Sequence, residues 1–153
     1  MAVSLRNKTI ISQAELIELG NERLAEAEAL RLGAKFAGAV YLAGYAVECY
    51  LKAAICKTLD LSGLPIVFMT HDLDVLLFHS GLDNTLRADT VLAGSFTHIV
   101  GIWSVERREE RQGGKTIMKE SVRYRKPSDF DDATAKSFLT AVAGVVKWLR
   151  TKT

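Results

Sequence analysis

The sequence predicts an all-α protein, an up-and-down four-helix bundle with an additional short helix. Three observations predict it. Apolar residues recur at helical spacing through most of the chain. Ser, Thr, Asp or Asn stands ahead of the main stripes, where a helix start needs an acceptor for its free N–H groups. No segment carries a convincing strand signature. At 153 residues the chain suits one domain over 1–153, with residues 1–11 as a leader and a core over about 12–150.

Each element follows from local signals. Ser12-Gln-Ala-Glu15 is a capping box, so a helix is expected over 13–32, with Leu16, Leu19, Leu24, Ala27 and Leu30 on one stripe and Gly33 as its stop. A second helix is expected over 34–60. Gly38 and Gly44, with Ala34, Ala37, Ala43 and Ala46, give it a thin-walled face that a neighbour can approach closely. Pro65 breaks the chain, and Thr70-His-Asp-Leu-Asp opens a short helix over 72–79 with Thr70 as cap. Asp83 or Asn84 is expected to cap one further helix running to Val100 or Trp103. Residues 104–116 are charged and read as an exposed loop, and 116–126 as extended chain or a short helix. Pro127 ends that segment, and Ser128-Asp-Phe-Asp131 opens a last helix to about Arg150, with Phe138, Val142, Val145 and Trp148 or Leu149 inward.

Composition narrows the function. A net charge of +2 gives no global case for nucleic acid, but the charge is uneven. Residues 12–32 hold five Glu against two Arg, and residues 107–126 hold eight Lys or Arg against three acids. Cys49 and Cys56 lie on one predicted helix, about 10 Å apart in rise, too far for a disulfide. With no signal-type apolar run and no uninterrupted span of about 20 apolar residues, the chain reads as soluble and cytoplasmic, with no membrane partner.

Few residues suggest chemistry. His71, His79 and His98 stand in different contexts and no Cys-x-x-Cys exists, so neither a metal site nor a cofactor is expected. Gly113-Gly114-Lys115-Thr116 lacks the first glycine of a phosphate loop, since position 109 is Glu. The basic segment surrounds Trp103 and Tyr124 with Arg123, Arg125 and other cations. That composition suits stacking on bases and pairing with phosphate, or equally a solvated loop that pairs with the acidic first helix. Within the second helix Glu48 and Lys52 stand at i and i+4 in an otherwise apolar stretch. They are either an ion pair at the bundle's edge or the polar lining of a site.

Tyr41-Leu-Ala-Gly-Tyr-Ala-Val-Glu-Cys-Tyr-Leu-Lys52, then Thr70-His-Asp-Leu73, then Trp103 and Arg123-Tyr124, resembles the HEPN domain family (higher eukaryotes and prokaryotes nucleotide-binding) over residues 20–148. The resemblance implies a bundle of four or five helices, usually dimerising. It implies work on nucleotides or RNA, often beside a minimal nucleotidyltransferase in toxin–antitoxin or defence systems. Glu48, Lys52 and His71 match the family pattern, and Arg123 and Tyr124 match it more loosely. Many members are metal-independent ribonucleases with an Arg five to seven residues before a His. Here those positions are Leu64, Pro65 and Ile66 before His71; Asp72, Leu73 and Asp74 before His79; and Val91, Leu92 and Ala93 before His98. The resemblance therefore points to the non-nucleolytic branch, with no catalytic residue assigned. The expected function is a nucleotide- or RNA-binding accessory domain, with Glu48, Lys52, His71, Trp103, Arg123, Tyr124 and Arg125 as binding candidates and a homodimer as the expected state. An interaction module docking a nucleotidyltransferase through the small-residue face and the acidic helix, and a degenerate ribonuclease, are the alternatives.

Overall fold

The computed structural model describes residues 11–103 and 122–153, together with the backbone of 107–112 and 115–120. The expected leader lies outside the described residues, Ile11 excepted. Among the described residues the protein is all-helical apart from one antiparallel pair of short strands. The helices are α1 (Gln13–Leu32), α2 (Phe36–Thr58), α3 (Leu73–His79), α4 (Asp83–Ala88), α5 (Thr90–Trp103) and α6 (Asp132–Leu149).

The capping box forms as its spacing predicts. Ser12 Oγ accepts from Glu15 N at 3.2 Å, and Glu15 Oε2 accepts from Ser12 N at 2.8 Å. Ser12→Ala is expected to cost about 1 kcal/mol in chemical denaturation, and a loss near zero would show that α1 does not depend on its cap. Asp131 caps α6, accepting from Thr134 N at 2.7 Å, and the Thr134 hydroxyl first, then this backbone N–H, hold its carboxyl below the usual range.

Three expectations are corrected. Asp72, not Thr70, caps α3: its carboxylate accepts from Asp74 N and Val75 N, while Thr70 Oγ1 accepts from Asp72 N one turn earlier. The single helix expected from Asp83 to Trp103 is two, α4 and α5. Asp89 adopts an extended backbone, and its side chain accepts from Val91 N and Leu92 N, both at 3.0 Å, so a helix start replaces helix continuation. The expected 104–116 loop instead contains β1 (Arg107–Gln112), paired antiparallel with β2 (Lys115–Glu120) from Arg107↔Glu120 to Gln112↔Lys115. Gly113-Gly114 lies between these runs, outside the described residues.

The core is built around α2. Every residue from Ala46 to Cys56 is buried, which is why this helix can be apolar nearly all round. By composition it is long enough to cross a membrane, but 83% of its most apolar window is buried inside the protein. It packs most extensively on α1, then on α6, and also touches α3 and α5. Gly20 of α1 lets that contact close: a Cβ there would lie 2.9 Å from the Tyr50 ring. The Tyr50 hydroxyl donates to Asn21 Oδ1 at 2.6 Å. Arg150 donates to both, from Nε to Tyr50 Oη at 3.0 Å and from Nη2 to Asn21 Oδ1 at 2.7 Å. This junction joins α1, α2 and the end of α6 with every polar partner supplied by side chains.

The small-residue face of α2 is occupied by its own chain. The Leu30 side chain lies against Gly38, and the Trp103 ring lies against Gly44. The docking surface expected there is therefore covered at both glycines.

Candidate functional site

Glu48 and Lys52 are brought one turn apart by α2, and the i, i+4 pair forms: Lys52 Nζ donates to Glu48 Oε1 at 2.6 Å. Both are in the interior, Glu48 at 1% and Lys52 at 4% exposure. Such a pair has to regain through hydrogen bonds what it loses in hydration. His71 supplies part of this. Its Nδ1 lies 3.0 Å from Glu48 Oε2 and 3.2 Å from Oε1, which places the ring hydrogen on Nδ1. The cluster runs from the core to the surface, because the His71 side chain is 54% exposed. The Asp72 cap fixes where α3 begins and so anchors the residue next to His71.

Glu48 and Lys52 line a cleft of about 340 Å³. Leu16 and Leu19 of α1, Tyr45 and Cys49 of α2, and Leu64 and Met69 of the following connection form its other walls, with Ile11 and Glu15 at the α1 start. Leu64 N donates to Ile11 O at 2.8 Å, tying the connection to the α1 end of the cleft. Desolvation first, and then the Glu48 charge, push the Cys49 thiol up to about 12. Cys49 is 1% exposed, so its reaction with iodoacetamide at pH 8 should be far slower than that of a free thiol, and become normal in denaturant. Equal rates in native and denatured protein would mean that the cleft opens on the labelling timescale.

Of the remaining sequence candidates, Trp103 and Arg123 meet at the end of α5. Trp103 has no exposed surface, and its Nε1 donates to Tyr41 O at 2.8 Å. The Arg123 guanidinium carbon lies 4.5 Å from the Trp103 ring centroid and 5.6 Å from that of Tyr41. Arg123 Nη1 is buried with no hydrogen-bond partner among the described residues, and the ring faces are what it meets. Trp103 is therefore a core anchor under a guanidinium, and offers no open face for a base in this structure. Tyr124 is 69% exposed. Arg125 lies over the Phe130 ring at 4.6 Å and 3.8 Å from Asp129. The side chains of Arg107, Arg108, Arg111, Lys115 and Lys119 lie outside the described residues.

The seven candidates thus fall into two groups. Glu48, Lys52 and His71 make direct contact; Trp103 and Arg123 make a second contact, with Tyr124 and Arg125 following in sequence. Sequence reasoning missed the cleft walls contributed by α1 and the connection, because nothing in Leu16, Leu19, Leu64 or Met69 distinguishes a wall from core. Among the described residues no three His, Cys, Asp or Glu side chains converge as metal ligands would.

Compared with known proteins, the chain matches no family model, no curated protein and no solved structure. The HEPN resemblance therefore stands on its motif residues.

Proposed function

We propose that this chain is a HEPN-like nucleotide- or RNA-binding accessory domain without nuclease activity, acting within a toxin–antitoxin or defence pair. One observation carries the reading: among the residues that match the family pattern, Glu48 lies within 3.0 Å of both Lys52 and His71, although 18 residues lie between Lys52 and His71 in sequence. The contacts of α2 with α1, α5 and α6 support reading the four long helices as an up-and-down bundle. His71 has the oriented ring that acid–base chemistry uses, but no Arg precedes it at the nuclease spacing to meet a phosphate. The domain is expected to act as a homodimer.

The test is a fluorescence titration with nucleotides and short RNA at low and moderate salt, paired with a metal-free RNA incubation. Binding that weakens with salt, and intact RNA, are the expected results. Folded protein that binds nothing at either salt overturns the reading. RNA cleavage lost in His71→Ala replaces it with a ribonuclease.

A second reading has its own observation. Val67 and Phe78 are 76% and 72% exposed, and Ile66, Met69 and Val75 are also exposed along the same connection and α3. Exposed apolar side chains in one region suit a protein partner, here a minimal nucleotidyltransferase. Co-expression with a neighbouring nucleotidyltransferase gene tests it. Co-purification lost in Phe78→Ser is the expected result, and its absence removes this reading.

A further inference from the structure

We propose that the cleft beside Glu48 and Lys52 takes an uncharged heterocycle presenting an N–H next to a hydrogen-bond acceptor, the edge that a nucleobase carries. This rests on the nucleotide-binding reading and adds which part of the ligand enters and where.

Size and wall chemistry set the ligand class. About 340 Å³ is at the small end of ligand pockets, which run from roughly 300 to 1,000 Å³, so a ring system fits better than a long chain. Leu16, Leu19, Leu64 and Met69 give it apolar walls. The polar groups are confined to a few positions, as a site that orients a ring requires.

Hydrogen-bond valence defines the edge. An ammonium has three donors, and Lys52 spends one, on Glu48 Oε1. Its other two N–H groups have no acceptor among the described residues, at 4% exposure. Glu48 has about four acceptor positions, of which Lys52 and His71 contacts use three. The wall therefore shows spare donors beside a spare acceptor, one helical turn apart. A ring with adjacent acceptor and N–H answers both at once. An isolated carbonyl or an isolated amine answers only one.

Charge decides against an anion. The charged residues lining the cleft are Glu48, Lys52 and Glu15, and His71 touches Glu48. Two carboxylates against one ammonium repel a phosphate, so the base enters and any phosphate stays outside.

The experiment is calorimetric titration with uridine and guanosine, with N3-methyluridine, whose donor is blocked, and with inorganic phosphate. Lys52→Met removes the donor. Met69→Trp narrows the cleft from a half-exposed position while leaving Glu48 and Lys52 unchanged, and its fold is checked by circular dichroism. Uridine or guanosine should bind wild type. Blocking the N–H or removing the Lys52 donor should each weaken binding about tenfold, and Met69→Trp should abolish it. Nucleosides that fail to bind, or that bind Met69→Trp as well as wild type, overturn the inference. If short RNA still binds while nucleosides do not, only this inference falls. If RNA and nucleotides fail too, the parent reading falls with it.

Discussion

Replacing Glu48 by Ala is expected to destabilise the protein by about 3–5 kcal/mol in urea or thermal denaturation. The reason is what remains. Lys52 is 4% exposed and Glu48 is its one acceptor among the described residues, so the variant keeps a buried ammonium with no partner. The reverse substitution is milder. In Lys52→Met the methionine fills most of the same volume, and Glu48 keeps its contact with His71. About 1–3 kcal/mol is expected there, the cost of a lost charged hydrogen bond. Removing both charges, as Glu48→Leu with Lys52→Met, should recover most of the loss, because neither variant residue needs an acceptor. Equal losses from the two single substitutions would show that His71 does not support Glu48. A double variant as unstable as Glu48→Ala would show that the pair contributes something other than mutual neutralisation.

That asymmetry bears on the choice between a structural bridge and a site. A bridge alone would be complete with Glu48 and Lys52. Here the carboxylate also holds a half-exposed imidazole, and the ammonium retains donors that no acceptor among the described residues meets. The pair therefore does both: it closes a buried charge and leaves hydrogen-bonding capacity at the wall of a cleft. A hydrophobic replacement that restores stability while removing nucleoside binding would separate these two roles.

How much of this was legible in the chain depends on the reach of the signal. Caps act over three residues, so Ser12 with Glu15 could be read directly, whereas Ser128-Asp-Phe-Asp131 marked the start of α6 without singling out Asp131 as its cap. The break at Asp89 could not be read, because the apolar period of Leu86, Val91 and Leu92 runs on through it. The strand pair was missed for a related reason. Arg107–Gln112 has no apolar alternation, so period-two reasoning sees only charge. The informative feature was Gly113-Gly114 between the two runs, a pairing signal that was read as loop composition. In the site, Glu48 and Lys52 followed from helical spacing, whereas His71 entered through the family resemblance. The cleft depends on how α1 crosses α2, a tertiary fact that no local pattern encodes.

Gly44→Ala is expected to be the second most damaging single change, at about 2–3 kcal/mol net, measured as a fall in chemical stability. On propensity alone the substitution should stabilise α2 by about 1 kcal/mol, since Gly is a poor helix former. Packing outweighs this. A Cβ at position 44 would lie 2.2 Å from Trp103 Cδ1, 2.3 Å from Cγ and 2.5 Å from Nε1. These are atoms of a rigid ring close to its own backbone, not the tip of a flexible chain. The ring also has little room to yield. Its Nε1 is committed to Tyr41 O at 2.8 Å, and Arg123 covers its face at 4.5 Å. Moving it breaks that hydrogen bond and uncovers a guanidinium nitrogen that has no other partner among the described residues. The fluorescence of Trp103 should shift to the red as its surroundings become wetter, against a Trp148 signal that stays constant. A stabilised Gly44→Ala would mean that α5 is free to retreat from α2, and that the glycine is not what sets their separation.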